Sequence, residues 1–581
     1  MRLDEYWGVG PKTRELLAES MGVEAAIDAI ERGDVRALTD AGLPHGRATR
    51  ILRHAHGGVA MDLLASPDAR DVYKSILDIA GEYAVTANAR DRVRILTPLS
   101  DREAMEARLD DILTARDTWA ALPETDREAV LGAFEDYDSG GGRRAAVEAA
   151  LALKRTGVES GVFAPLADLD ADTLEDAAAA LAGLSEAGVA EGADGRLEAL
   201  REQLGAVEDM AATPGQVVER VGEGARGAEE LRDAFAREVT NETGADAARV
   251  REVMATDAAD ARAFVGETLR ALADDLRTAV QEHEREVRAE LEDTLEEAEE
   301  AVERAVSAVD GVAVDVSLAR FALAFDLTRP TLVEREATGV VDARNLFLAD
   351  AGEEIQPVTY AVGNHELAVP RATAPPQHRV AVLTGANSGG KTTLLETLCQ
   401  VQLLAQMGLP VPARAAEVGP VDAVVFHRRH ASFNAGVLES TLRSVVPPLS
   451  EGGRTLMLVD EFEAITEPGS AADLLHGLVT LTVDSDALGV FVTHLADDLE
   501  PLSKEARVDG IFAEGLTPSL ELDVDYQPRF ETVGRSTPEF IISRLVADAT
   551  DRAERASYET LAEAVGENAV QRTLADARWQ S

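Results

Sequence analysis

Two glycines, a lysine and a threonine at fixed spacing are the residues of this chain best suited to handling a phosphate. Gly385, Gly390, Lys391 and Thr392 satisfy the pattern G-x-x-x-x-G-K-[ST], in which backbone N–H groups wrap phosphate oxygens, the lysine neutralises them and the hydroxyl holds Mg²⁺. Further on, the apolar run TLMLV ends at Asp460 and Glu461. Two carboxylates at the carboxyl end of a central strand are where open α/β sheets place ligands. The first would hold a metal through water, and the second would orient and deprotonate an attacking water. A third apolar run, GVFV, ends at Thr493 and His494, and a histidine at that tip could reach the terminal phosphate or the water. These residue types describe metal-assisted hydrolysis of a nucleotide.

The elements that must position them are legible around them. Val380, Val382 and Leu383 suit a buried parallel strand, and the leucines between Thr392 and Leu404 fall at helical spacing, so phosphates would lie at a helix N-terminus. At these residues the chain resembles the MutS-like ATPases within the ABC class. TGANSGGKTT is similar to their phosphate loop, VDEFEAITEPG to their acidic strand and following loop, and VTH to their histidine switch. The resemblance implies that Gly385, Asn387, Gly389, Gly390, Lys391, Thr392 and Thr393 bind ATP, and that Thr392 and Asp460 hold Mg²⁺. It makes Lys391, Glu461 and His494 catalytic. It also makes Tyr360 the aromatic on adenine, with Phe347 as the alternative. Two departures stand out. Glu463 and Ile465 replace glycines of the family's loop, and its serine-rich trans-acting signature is represented by HASFNAGVLEST. There Ser432 would reach a partner's γ-phosphate, unless the family serine aligns with Ala431. A site completed in trans implies a homodimer.

Composition sets the surroundings. The 581 residues exceed one core, and no apolar run approaches the ~20 residues of a membrane span. MRLDEYWGVG lacks the regions of a signal peptide, and a single cysteine, Cys399, excludes an intramolecular disulfide. Both fit the cytoplasm. Net charge is −50, and five of the 56 basic residues are lysine, a balance that suggests a haloarchaeal protein. With a Debye length of about 3 Å at 1 M salt, such a shell hardly repels a polyanion, so acidity does not exclude DNA.

The expected fold class is multidomain, α-rich plus α/β. Residues 1–60 carry eight basic and nine acidic side chains, and YWGVGPKTRELLAE and DAGLPHGRATRILRH repeat a glycine-containing hairpin that opens a helix. This resembles a tandem helix-hairpin-helix module. Gly8, Gly10, Gly42 and Gly46 would let the backbone approach a DNA phosphate, and Lys12, Thr13, Arg14, Arg47 and Thr49 would donate to it. The alternative is a helical cap that only packs on its neighbour. Residues 61–220 read as a helical core, with Thr86–Ile112 resembling the entry to the family's lever. Residues 221–310 read as a coiled-coil arm, since Leu269, Leu272, Leu276, Val280, Val287, Leu291, Leu295, Ala298, Val302, Val306 and Val309 recur every three or four positions, a narrow apolar stripe that fits a coiled-coil seam. His283 fills the one gap in what would be a continuous helix of about 75 Å. Residues 311–345 return to the core, 346–545 form the P-loop ATPase domain, and 546–581 are C-terminal helices. No N-terminal mismatch-reading wedge and no small nuclease-like module is recognised. The implied function is that of an ATP-driven, dimeric, clamp-like protein on branched, looped, junction or mismatched DNA in repair or recombination. Two alternatives remain: a chromosome-organising ATPase of SMC type, opposed by an arm that precedes both Lys391 and Asp460, and a scaffold that senses ATP without hydrolysis.

Overall fold

Apolar runs of four to six residues, each closed by a polar or glycine residue, become the central strands of the computed structural model. It describes residues 2–574 apart from 159, 186–187, 223–226, 368–374, 386–389, 429–434, 451, 466–467, 500, 518–521, 535–537, 567–569 and 572. The chain divides into two compact units, 1–127 with 160–162 and 310–581, and 128–159 with 163–309. The boundary near 127 falls inside the 61–220 span that the sequence reads as one helical core.

The first unit opens on α1 (Pro11–Ser20), α2 (Val23–Arg32), α3 (Val35–Asp40) and α4 (His45–Gly57). They close over a core of their own that includes Leu17, Ile30, Leu38, Ile51 and Leu52. Helix α5 (Pro67–Glu82) follows. Ser66 caps it at the Ala69 N–H and also brackets Phe426, donating to its carbonyl at 2.6 Å and accepting from its N–H at 2.9 Å.

Strands β1 (Thr331–Leu332), β2 (Ala337–Ala343), β3 (Val358–Gly363), β4 (Val380–Gly385), β5 (Ala415–Val418), β6 (Ala423–His427), β7 (Thr455–Asp460), β8 (Leu488–Val492), β9 (Ala506–Leu516) and β10 (Leu522–Arg529) form two sheets. The larger has the order β10-β9-β4-β8-β7-β6, parallel except for the β9–β10 edge, and the smaller the order β1-β5-β2-β3. Every residue of β4, β7 and β8 is buried, as expected of parallel strands covered on both faces. Helix α6 (Lys391–Gln406) leaves β4 and is buried along most of its length. Its last carbonyls are capped from the helical part of the unit: the Leu99 N–H donates to Gln406 at 2.8 Å, and the Arg108 guanidinium donates to Met407 at 2.9 Å. A cation at a helix C-terminus is favoured by the helix dipole.

The second unit is helical apart from one short hairpin, among the described residues. Its long helix spans Ala261–Glu297 and packs on Gly195–Ala212 through Leu269, Leu272, Leu276 and Val280. The single continuous helix expected from the sequence is two helices. Ala298, at φ −90° and ψ −1°, separates the first from Glu299–Ala324. Seven carboxylates between Glu292 and Glu303 put like charges three and four residues apart, which destabilises a helix there. His283, the gap in the apolar stripe, bonds to Asp194 at 2.8 Å and Glu286 at 3.2 Å, and Asp194 also caps Gly195–Ala212 at the Leu197 N–H.

Hydrogen bonds to Glu286 and Asp194 raise the His283 pKa above its ordinary 6.5. The fold thus favours the protonated ring, so its stabilisation is complete below pH 6.5 and is lost as pH rises through the raised value. Urea titrations of the full chain followed by helical circular dichroism should show stability falling over that interval. The His283→Gln variant should lose that slope.

Candidate nucleotide site

The site is assembled by strand register. Val492 on β8 lies opposite Leu383 on β4 and opposite Asp460 on β7, so the three strands end level and Gly385, Glu461 and His494 emerge at one edge. Gly385 is required there by space as well as by its φ of +128°. A Cβ at this position would stand 2.1 Å from the Ile511 carbonyl, and the bend after β4 runs directly against β9. Gly534 presses on the same point, its own Cβ position being 2.8 Å from the Gly385 Cα.

Lys391 is 5% exposed, and its ammonium donates to the Gly385 carbonyl at 3.0 Å. It is thus folded back along the start of α6. Gly390, the N-cap of α6, has φ +70°, and a Cβ there would be 2.8 Å from the Tyr526 ring. Thr392 donates to Asp460 at 2.5 Å, and Asp460 is 2% exposed. A hydroxyl and a carboxylate brought this close in a buried corner are hard oxygen donors suited to Mg²⁺. Glu461 has φ +40°, a region unfavourable to a residue with a side chain. Its N–H is held by the Val492 carbonyl at 3.0 Å, and its carboxylate meets His494 Nε2 at 3.0 Å. Glu463, the departure from the family loop, accepts from the Thr493 hydroxyl at 2.8 Å and the His494 N–H at 2.7 Å. The acidic loop and the histidine loop are therefore cross-linked by three hydrogen bonds, through both Glu461 and Glu463.

Lys391, Thr392, Asp460 and Glu461 open into a cavity of about 750 Å³. Its far wall is Leu348, Ile355, Gln356, Val358 and Tyr526, with Asn345 and Arg428 toward α6. Of the expected site residues, Gly390, Lys391, Thr392, Thr393, Asp460 and Glu461 line this cavity. Asn387, Gly389 and Ser432 lie outside the described residues.

Tyr360 is elsewhere. Its ring is fully buried and stacked on Phe530 at 5.7 Å, and its hydroxyl donates to Asp509 at 2.7 Å. Asp509 also receives Arg507 at 2.9 Å, and Arg507 donates to the Ala361 carbonyl at 2.6 Å. Burial drives the Tyr360 phenol well above its ordinary range. A tyrosine so enclosed joins the two sheets and has no face for a base, and Phe347 does not line the cavity either. The aromatic that does is Tyr526, 40% exposed. Nothing local in LELDVDYQP ties position 526 to a phosphate loop that precedes it by so much chain, so its place at the cavity carries no sequence signal. Asn345 and Arg428 were missed for the same reason. Asn345 donates toward Glu396 and Thr397, and Arg428 pairs with Glu396, so both brace the wall of α6.

At the N-terminal module, Lys12, Arg14 and Arg47 are exposed, and no ion pair to them is found among the described residues. Thr13 and Thr49, expected as donors to DNA, are 2% and 7% exposed. The Thr49 hydroxyl donates to the His45 carbonyl, so these two belong to the module's interior. Gly8 and Gly42 have φ of +80° and +97°, as their hairpins require, whereas Gly10 and Gly46 have open space around them.

Comparison with known proteins now bears on the larger sheet. Residues 381–499 match MutS domain V. That match runs from β4 through the loop after His494 and so includes each strand end at the cavity mouth. Over 221 residues the chain is 44% identical to the DNA-binding protein MutS2 of Pyrococcus furiosus, covering 38% of each chain. It is 30% identical to the endonuclease MutS2 of Thermomicrobium roseum over 233 residues, 38% of this chain and 27% of that one. It is 34% identical to the endonuclease MutS2 of Solidesulfovibrio magneticus over 191 residues, 31% of this chain and 23% of that one. The chain thus spans less than two-fifths of the length of these relatives. No described helix is long and apolar enough to cross a membrane, and no group of three or more His, Cys, Asp or Glu suited to a metal occurs among the described residues.

Tyr360 and Tyr526 can be separated by experiment. Tyr360→Phe leaves Asp509 short of a donor in a buried setting, a loss of about 1–3 kcal/mol in stability, with nucleotide affinity unchanged. Tyr526→Ala should leave the melting midpoint close to wild type and weaken nucleotide binding. Calorimetric titration and thermal melting of both variants check this.

Proposed function

We propose that this chain is an ATP-dependent, DNA-binding protein of MutS type that acts in DNA repair or recombination. The observation that carries the ATPase reading is the convergence of Lys391, the Thr392–Asp460 pair and Glu461 on one cavity, with His494 bonded to Glu461 from outside the lining. In this reading the adenine lies along Tyr526, Leu348 and Ile355, and the phosphates lie over the start of α6. Thr392 and Asp460 hold Mg²⁺, which supplies charge neutralisation to the β- and γ-phosphates. Lys391 turns from the Gly385 carbonyl to the phosphates. Glu461 takes the proton of the attacking water, and His494, hydrogen-bonded to it, keeps that carboxylate oriented. Glu463 holds the His494 backbone in place.

The DNA reading rests on charge and on the printed names of the relatives, two of which are called endonuclease and one DNA-binding protein. In a chain of net charge −50, the module of residues 1–60 presents Lys12, Arg14 and Arg47 to solvent near the starts of α1 and α4. Phosphate contacts of this kind position a duplex without reading its sequence. The protein works as a homodimer, each cavity being completed by the Ser432 segment of the other copy, and the second unit provides the clamp arm.

Lys391→Ala should weaken ATP binding by at least about tenfold, because a buried counter-charge is lost. Glu461→Gln should bind ATP as wild type does and turn over about 10²- to 10⁴-fold more slowly. Equilibrium binding and single-turnover hydrolysis in KCl distinguish the two; undiminished turnover in Glu461→Gln would remove Glu461 from the mechanism, and a wild type that binds ATP without turning it over would be an ATP sensor. For DNA, Lys12→Ala combined with Arg47→Ala should flatten the salt dependence of binding by up to about 2 in log–log slope. Titrations of any duplex sequence over a KCl range should give the same change.

A further inference from the structure

Helix α4, HGRATRILRHAHG, contains three arginines, three histidines and no carboxylate, in a protein where acidic residues outnumber basic ones by 106 to 56. Part of that charge is engaged within the fold. Arg53 donates to the Arg94 carbonyl at 2.8 Å and lies over the Tyr73 ring, and His56 bonds to the Ile30 carbonyl. Arg47 and Arg50 are exposed, and neither has an ion pair among the described residues. With His54 they fall at i, i+3 and i+7, which is one face of the helix.

At the end of that face stands Trp7. It is 53% exposed, and its indole is stacked on His54 with centroids 3.7 Å apart and planes at 26°. Gly8, at φ +80°, turns the chain immediately after it, with its Cβ position 3.2 Å from Ile51 of α4, so the hairpin is seated on the helix. The two carboxylates that precede Trp7 in the chain are engaged by Arg2, which pairs with Asp4 and donates its backbone N–H to Glu5, and the Tyr6 hydroxyl donates to Glu31. A tryptophan half in water has a general use beside a row of unpaired arginines. Phosphates follow the cations, and an unstacked base finds an aromatic surface.

We propose that Trp7, backed by His54, is a base-stacking platform that gives the N-terminal module a preference for unpaired DNA, with Arg47 and Arg50 holding the phosphates that lead to it. The inference rests on the DNA-binding reading and names its substrate class: single strands and duplexes with a single-stranded overhang rather than blunt duplex. No base identity is read, since every base has a stacking face.

The test is titration of the full chain, in a KCl series, with a short single strand, a blunt duplex and a duplex with an overhang, followed both by anisotropy of labelled DNA and by intrinsic fluorescence. Wild type should bind the strand and the overhang more tightly than the blunt duplex and show quenching of an indole. Trp7→Ala should lose about tenfold on the unpaired substrates, the scale of one base–aromatic stack, and nothing on blunt duplex. Trp7→Phe keeps an aromatic face, so it should retain most of the affinity while the quenching disappears. Of the other two tryptophans, Trp119 is 5% exposed, and Trp579 is replaced by Phe in the wild-type reference and in every variant, so that the signal reports on Trp7. Equal wild-type affinity for paired and unpaired DNA, or absent quenching at saturation, overturns the proposal. So does an equal loss on all substrates in Trp7→Ala, which would make Trp7 a packing residue. If Trp7→Ala melts early, Trp7→Phe and the wild-type quenching decide alone. A matched RNA strand bound more tightly than DNA would assign the platform to RNA and overturn it. The underlying reading fails separately: it falls if wild type binds no DNA, and it stands if Lys12→Ala with Arg47→Ala weakens duplex binding whatever Trp7 does.

Discussion

The alignment of three parallel strands underlies everything at the cavity mouth. Because Val492 faces Leu383 on one side and Asp460 on the other, the residues just past each strand end must share one edge. A slip of one residue in β8 would reverse the faces its side chains occupy, and since β4, β7 and β8 are buried on both faces, burial by itself cannot forbid that slip. The strand ends can. The Glu461 N–H on the Val492 carbonyl, the Thr493 hydroxyl and His494 N–H on Glu463, and the Thr493 N–H on the Leu383 carbonyl all require the observed alignment. Glu463, which looks like a loss against the glycine-bearing family loop, is thus part of what fixes the frame.

The strain at Glu461 has meaning within that frame. A φ of +40° on a residue with a side chain costs about 1–3 kcal/mol and persists only where its surroundings over-determine it. Here they do so through one backbone hydrogen bond and the His494 contact, which turn the carboxylate toward the cavity rather than along the strand. At the other end of α6, Leu99 and Arg108 hold the last carbonyls. One helix therefore has the candidate phosphate site at its N-terminus and helical-core residues at its C-terminus. Displacement of α6 by a ligand would act on the Thr97–Arg108 segment directly, with no intervening layer.

What could be read from the sequence was what is local. Lys391 and Thr392 are fixed by spacing within one turn, and Asp460, Glu461 and His494 by their places at the ends of apolar runs, so their convergence needed only the rule that parallel strands end together. Tyr360 was misplaced because alternation cannot distinguish a strand face toward a ligand from one toward a second sheet. The Asp509–Arg507 pair that captures its hydroxyl comes from residues nearly 150 positions later. Tyr526, Asn345 and Arg428 reach the cavity only through the fold and carry no spacing signal. The arm's apolar spacing predicted helix correctly, yet continuity failed at Ala298, where accumulated like charge outweighed the apolar stripe. Thr13 and Thr49 show the converse error: a polar residue near a helix start was taken as outward-facing, when helical periodicity placed both on the buried side.

Charge distribution sets the terms on which such a protein meets a polyanion. All but nine of its 106 carboxylates lie beyond residue 60, and their repulsion of DNA would act over the Debye length, about 10 Å at 0.1 M salt and about 3 Å at 1 M. Contacts from Arg47, Arg50 or Lys12 to a phosphate act at hydrogen-bond distance and weaken with salt through counterion release. The two effects have opposite salt dependence. Added salt removes a long-range penalty spread over the whole surface and also weakens a local gain confined to a few side chains. Stacking of a base on Trp7, as proposed, would be sensitive to neither. A module that combined few cations with an aromatic surface would thus hold nucleic acid over a wider range of ionic strength than cations alone, which gives a physical reason for the half-exposed indole to lie beside the only helix in this part of the chain without a carboxylate.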